Sequence, residues 1–286
     1  MLQNRATLKQ IRFHLLSELR QIYTENESDS IVRLVMEHLG YPLSVSLREP
    51  DIIPASSVHA QINDIVTDIH TGSPIQYILG YTYFCDLKIE VDKQVLIPRP
   101  ETEEMVEHIK VRTKDPIHRI IDLGTGSGCI ALALKQYFPD AEVWGVDLSQ
   151  EALRVAGENG RKNSLHVNWD EMDLLSPHSI EESQLFDLVV SNPPYVMNSE
   201  RQIMARNVTA FEPESALFVA DDDPLIFYSA IASFCRIHLA DRGEIWVEIN
   251  EQLGSETDSL FKKEGFSKVH ILRDIHEKDR YINARR

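Results

Sequence analysis

The chain has 286 residues, 43% of them hydrophobic and 26% charged, with 45 acidic against 29 basic side chains and a formal net charge of −16. That length accommodates one large domain and a small one, no run approaches the ~18 apolar residues of a membrane span, and the polar start lacks the apolar stretch of an export signal. Acidity disfavours binding to duplex nucleic acid through its phosphates, and three widely spaced cysteines, Cys85, Cys129 and Cys235, read as reduced thiols of a cytoplasmic protein.

The first seventy residues carry helical stripes. Leu8, Ile11, Leu15, Leu19 and Ile22 form one. Ile31, Leu34, Val35 and Leu39 form a second, with Asp29 or Ser30 as its cap and Gly40 and Pro42 at its end. Val58, Ile62, Ile65, Val66 and Ile69 form a third, opened by Ser56 or Ser57. Residues 1–73 are thus expected to be a small helical bundle presenting one face to a partner. Residues 74–97, rich in Tyr, Ile, Val and Phe, read as a β-hairpin linker. Pro98-Arg99-Pro100-Glu101 then opens a helix, with proline and carboxylates suited to its first turn.

From residue 98 to 286 the pattern is that of an α/β domain. Strands are expected at 118–123, 142–147, 165–169, 185–190, 213–219 (weakly), 243–250, 267–273 and 279–285, and helices at 127–138, 149–162, 224–239 and 251–264. Such alternation predicts a mostly parallel sheet covered on both faces. The last two strands are joined by about five residues, too few for a crossover helix, and so form an antiparallel hairpin.

Two motifs carry the chemistry. Ile120-Ile-Asp122-Leu-Gly124-Thr125-Gly126-Ser127-Gly128 runs from a strand into a helix. Its glycines let the backbone turn and approach a ligand, and the helix start offers free N–H groups. A dinucleotide fingerprint needs its third glycine one residue later, where Cys129 stands. Asp147 ends the next strand, about twenty residues on, where an acid reaches a ribose hydroxyl pair. Asp173, after the third strand, is the candidate for an adenine amino group, although a turn carboxylate is also common there.

The second motif, Asn192-Pro193-Pro194-Tyr195, follows the apolar strand Leu185–Val190. Neither proline can donate to a ladder, and the second biases the first toward extended backbone. The Pro193 carbonyl and Asn192 Oδ1 therefore form two adjacent acceptors, suited to the two hydrogens of a planar NH2 group, with Tyr195 as a flat face for stacking. Glycine loop, acid and Asn-Pro-Pro-Tyr together predict a methyltransferase that uses S-adenosylmethionine (SAM) and acts on a nitrogen. Asn192 is shared between its cofactor and substrate sides. No histidine or cysteine cluster suggests a metal, and Asp221-Asp222-Asp223 reads as a solvated loop.

The chain resembles the peptide chain release factor glutamine methyltransferases, the PrmC/HemK family. The matching segments are Pro74–Gly80, Leu96-Ile-Pro-Arg-Pro-Glu-Thr-Glu103, Asp122–Gly128, Asp147-Leu-Ser, Ser191–Tyr195 and Phe211-Glu-Pro213, in the family's order and spacing. The resemblance implies a seven-stranded Rossmann-like methyltransferase domain after a helical bundle. It implies methylation, with release of S-adenosylhomocysteine, of the glutamine side chain in the Gly-Gly-Gln motif of class 1 release factors. It also implies that Asn192 and Pro193 hold that amide while the helical domain docks the release factor; a monomer is expected.

Two positions depart from the family pattern. Asn250 stands where Gly usually follows Glu-Ile, and because Asn tolerates a left-handed turn better than most residues, little harm is expected. Glu277 replaces a Gly before Lys-Asp-Arg. The competing readings are an amino-methyltransferase of adenine or guanine in nucleic acid, disfavoured by the charge, and a catalytically idle SAM-binding assembly factor, which an intact motif argues against.

Overall fold

The computed structural model describes residues 5–113, 115–177, 180–181 and 183–286. It divides into two compact units, one spanning the chain up to Gly80 together with Arg206–Phe211, the other taking Tyr81–Ala205 and Glu212–Arg286.

The first unit is helical: α1 (Leu8–Leu19), α2 (Glu25–His38), α3 (Leu43–Arg48), α4 (Ser56–His70) and α5 (Ile75–Leu79). The expected stripes are its core, with Leu8, Ile11, Leu15 and Leu19 of α1 buried beside Ile31, Val35, Ile62, Ile65 and Ile69. Ile22 lies beyond α1 and is exposed. α2 begins earlier than expected because Thr24 and Glu27 form a reciprocal capping box. Its polar first turns carry no apolar periodicity, which hid them. The start of the expected hairpin linker is instead α5, closed by Gly80 in the left-handed conformation that glycine adopts without strain.

In the second unit β1 (Tyr81–Phe84) and β2 (Leu87–Glu90) form the hairpin, turning through Cys85 and Asp86 with φ of 47° and 64°. After α6 (Pro100–Arg112) come β3 (Arg119–Leu123), α7 (Cys129–Tyr137), β4 (Glu142–Asp147), α8 (Gln150–Lys162), β5 (Asn168–Glu171) and β6 (Phe186–Ser191). The short β7 (Val196–Met197), α9 (Arg206–Phe211, of the first unit) and β8 (Phe218–Val219) precede α10 (Ile226–His238), β9 (Leu239–Glu248), α11 (Gly254–Lys263), β10 (Lys268–Arg273) and β11 (Asp279–Arg285).

The seven-stranded sheet has the order β10-β11-β9-β6-β3-β4-β5, parallel from β9 to β5, with β11 antiparallel to both of its neighbours. This is the mostly parallel sheet with a C-terminal antiparallel hairpin that the alternation predicts. Its central strands are apolar on both faces, as helices on both sides require; Ile120, Ile121, Leu188, Val189, Val190, Ile245 and Val247 are all buried. The weak strand candidate at 213–219 shrinks to β8, which pairs with β7 outside the sheet. Pro213 cannot donate to a ladder, and Glu214–Ala216 close into a 3-10 turn. The chain order reverses at β3, with β4 on one side and β6 on the other, which is where open α/β sheets open a crevice at their strand ends.

Candidate active site

A cavity of about 300 Å³ lies at the carboxyl ends of β3, β4 and β6, lined among others by Gly124–Ser127, Asp147, Asp173 and Asn192–Pro194. The two motifs therefore meet, as their positions on neighbouring strands require.

The glycine loop is lashed to the end of β4. The Gly124 and Thr125 N–H groups both donate to the Val146 carbonyl at 2.9 Å, and Gly126 N–H donates to Asp147 Oδ2 at 2.8 Å. Asp147 Oδ1 accepts from Ser149 N at 2.9 Å. Burial raises the Asp147 carboxyl above its ordinary pKa, and these N–H donors oppose the shift. Gly124 and Gly126 have φ of +74° and +53° with nothing within 4 Å of a notional Cβ, so both leave open space beside them.

Gly128 has a different role. Its Cβ would stand 2.8 Å from the Trp169 ring and 3.0 Å from Ala156 Cβ, so it is packing on α8 and β5, not the cavity, that demands glycine there. Ser127 is buried, and its carbonyl accepts from Asn159 Nδ2, while Asn159 Oδ1 accepts from Glu90 N, tying the loop to the hairpin. Beneath the loop, fully buried Asp122 accepts from Thr125 Oγ1 at 2.6 Å on Oδ2, and its Oδ1 has no partner among the described residues. Burial, with the Asp147 charge adding to it, pushes the Asp122 carboxyl up to about 7.

Asp173 lines the cavity and is also a turn carboxylate, since its Oδ1 accepts from Leu175 N at 2.9 Å. Leu148, 63% exposed, and Leu174 add apolar surface between the two acids. Sequence reasoning missed both, because an apolar residue after a strand gives no sign that it faces a cavity.

Asn192 Nδ2 donates to Thr102 Oγ1 at 2.9 Å, leaving Oδ1 free, and no described residue donates to the Pro193 carbonyl. Thr102 Oγ1 in turn donates to Glu248 Oε2 at 2.7 Å, and the Tyr195 hydroxyl donates to Glu248 Oε1 at 2.9 Å. Tyr195 is half-buried and does not line the cavity. Burial raises the pKa of Glu248, against the pull of the two hydroxyls and Arg280.

Asn250 does not take the left-handed conformation; its Nδ2 donates to the Tyr195 carbonyl at 3.1 Å and to Glu200 Oε2 at 2.8 Å. Arg99, also on the cavity wall, pairs with Glu212 at 2.6 Å, joining two of the quoted segments. Thr102 and Glu248 went unrecognised, although a carboxylate at the end of an apolar strand is itself a signal. The Asp221–Asp223 run is exposed, and the three cysteines are free and buried.

Residues 100–218 match the family model of the methyltransferase small domain. Among solved structures, a methyltransferase from Pyrococcus furiosus aligns with a TM-score of 0.52 at 17% identity over 69% of this chain and 88% of that one. A Thermus thermophilus 16S rRNA N2 methyltransferase in complex with AdoMet and guanosine aligns with a TM-score of 0.53 at 17% identity, over 72% of this chain and 50% of that one. Fold and motif order define the chain as a methyltransferase of the SAM-dependent class.

The relatives narrow this. The chain is 36% identical to the release factor glutamine methyltransferase of Flavobacterium psychrophilum over 97% of this chain and 98% of that protein. It is also 36% identical to that of Bacteroides thetaiotaomicron, over 98% and 100%. It belongs to the release factor glutamine methyltransferase family. Among the described residues no helix is long and apolar enough to cross a membrane.

Proposed function

We propose that this protein, acting as a cytoplasmic monomer without a metal, methylates the side-chain amide nitrogen of the glutamine in the Gly-Gly-Gln motif of class 1 peptide chain release factors. The observation that carries the reading is the pair of free acceptors, Asn192 Oδ1 and the Pro193 carbonyl, on the wall of a cavity that also holds the glycine loop and Asp147. Those residues fit SAM. Open space beside Gly124 and Gly126 admits the methionine portion along Thr125 and Ser127, the Asp147 carboxylate suits the ribose hydroxyls, and Leu148 and Leu174 suit the faces of a base whose amino group reaches Asp173. Gly128 supports this site by its packing.

When bound, SAM supplies an electrophilic methyl group and leaves as S-adenosylhomocysteine. An amide nitrogen is a weak nucleophile because its lone pair is delocalised into the carbonyl. Asn192 Oδ1 and the Pro193 carbonyl each accept one N–H of the glutamine amide, aim its nitrogen and stabilise the positive charge that develops there; as the N–C bond forms, one of those two protons leaves the nitrogen for water. Pro194 holds that backbone extended, and Tyr195, held by Glu248 behind the cavity wall, anchors the end of the motif. The helical unit docks the release factor, and the net charge of −16 suits a basic protein partner rather than nucleic acid.

The test is transfer of label from methyl-labelled SAM to a purified release factor, intact and with its motif glutamine replaced by alanine. Label on the intact protein alone is expected. Equal labelling of both, or labelling of nucleic acid instead, overturns the reading.

A further inference from the structure

Glu248 is 1% exposed at the carboxyl end of β9, and both its oxygens are engaged, Oε2 by the Thr102 hydroxyl and Oε1 by the Tyr195 hydroxyl. A threonine hydroxyl has one hydrogen. Thr102 gives it to Glu248, so toward its other neighbour it can only accept. The Asn192 atom facing it at 2.9 Å is accordingly the donor Nδ2. Turning the Asn192 amide over would set Oδ1 against oxygen lone pairs with no proton between them, leaving two part-buried acceptors unpaired. The direction of one buried hydrogen bond thus dictates which end of the Asn192 amide reaches the cavity. The same carboxylate holds the Tyr195 hydroxyl, while Asn250 Nδ2 holds the Tyr195 carbonyl. Both ends of Asn192-Pro-Pro-Tyr195 are therefore tied to the end of β9.

We infer that Thr102 and Glu248 are positioning residues that fix the Asn192 amide with Oδ1 toward the substrate, making the site selective for an NH2 group over a carbonyl or carboxylate. The inference rests on the proposed methylation of an amide nitrogen. It explains why a buried carboxylate is kept where an apolar side chain would pack: only an acceptor at Glu248 turns the Thr102 hydrogen away from Asn192. A glutamate in place of the target glutamine would bring its oxygens against Oδ1 and the Pro193 carbonyl and be excluded.

Three variants test it. Thr102→Ser keeps the hydroxyl, Thr102→Val keeps the shape without it, and Glu248→Met keeps most of the length but has no oxygen to accept the Thr102 hydrogen. With SAM affinity as the check of folding, Thr102→Val and Glu248→Met are expected to lower kcat for the release factor by about tenfold or more, and Thr102→Ser to restore most of it. Adding Thr102→Val to Asn192→Ala is expected to lower kcat no further, because Thr102 acts through Asn192.

A readout independent of the protein substrate is hydrogen exchange of the Asn192 side-chain amide by NMR, protected in the wild type and Thr102→Ser and unprotected in Thr102→Val. Wild-type kcat and protection in Thr102→Val, or an additive loss on Asn192→Ala, overturns the inference. Should Thr102→Val not bind SAM, Glu248→Met decides by the same two measurements. If wild-type enzyme labels no release factor, the proposed function fails, and the exchange measurement still decides whether Thr102 orients Asn192.

Discussion

Arg99 Nη2 and Glu212 Oε1 stand 2.6 Å apart across 113 residues of sequence, and the second oxygen of Glu212 accepts from Ile97 N at 3.2 Å. This contact explains why Leu96–Glu103 and Phe211–Pro213 occur together: one segment supplies a cation at the cavity wall and the other the anion that fixes it. The pair is unequal, since the Glu212 side chain is 1% exposed and that of Arg99 31%. Removing Arg99 leaves a buried carboxylate held by one N–H, whereas removing the Glu212 charge leaves a guanidinium that water still reaches. Arg99→Met is therefore expected to cost about 3 kcal/mol of stability and Glu212→Gln about 1 kcal/mol, measured by urea unfolding. Equal losses would mean that burial does not govern the pair.

The three glycines of the loop separate by function. At Gly128 a methyl group meets the Trp169 ring at 2.8 Å on a backbone with φ of +79°, so Gly128→Ala combines overpacking with left-handed strain. We expect a loss of roughly 2–4 kcal/mol, partly recovered by adding Trp169→Leu. At Gly124 only the strain applies, about 1 kcal/mol, and the methyl projects into open space where SAM is proposed to lie. Gly124→Ala should thus lose SAM affinity by calorimetry while unfolding almost as the wild type does.

Asn192→Ala removes one of the two proposed acceptors without touching the glycine loop or Asp147. SAM binding is expected to persist while turnover on release factor falls ~100-fold or more, by analogy with loss of an oxyanion-hole donor. Near-normal turnover would remove Asn192 from the chemistry.

What the sequence made legible follows the length scale of each interaction. The mostly parallel sheet was legible from β/α alternation, because a buried parallel strand is apolar throughout. Asn192 and Pro193 were legible because proline's missing N–H is a property of the residue itself. Thr102 was hidden because its contact with Glu248 spans 146 residues and alone it resembles an ordinary helix residue, and the carboxylate of Glu248 at a strand end did not say which group it holds. Gly128 was visible as a glycine, but its reason, Trp169, lies on another strand. Tyr195 was visible as an aromatic ring, yet the direction of its hydroxyl depends on Glu248. Sequence shows which groups are available; the fold shows which way their hydrogens point.

Glu277 sits in the β10–β11 turn with φ of 62°, a left-handed conformation that strains a residue bearing a Cβ, and it is the position where glycine was expected from the family pattern. Asp274 stabilises this turn, its carboxylate accepting from His276 N, Lys278 N and Arg280 Nε. Glu277→Gly relieves about 1–2 kcal/mol of strain and returns part of that as entropy of the unfolded chain. A net gain of about 0.5–1 kcal/mol is expected by thermal unfolding, with SAM binding unchanged.

The Asp122 carboxyl is raised from its ordinary value of 3.8 to about 7 because it is fully buried, with the Asp147 charge adding to the shift. Between those two values the folded protein holds a proton there that the unfolded chain has released. Stability from this group therefore falls as pH rises from about 4 to 7 and stays low above that. The usual paired carboxylate does the opposite. Asp122→Asn keeps an oxygen for the Thr125 hydroxyl and removes the titration. Its stability relative to the wild type should grow more favourable from about pH 4 to 7 and level off above that in urea unfolding. A difference that is flat with pH would show that Asp122 is ionised in the fold throughout, with its free oxygen solvated or paired.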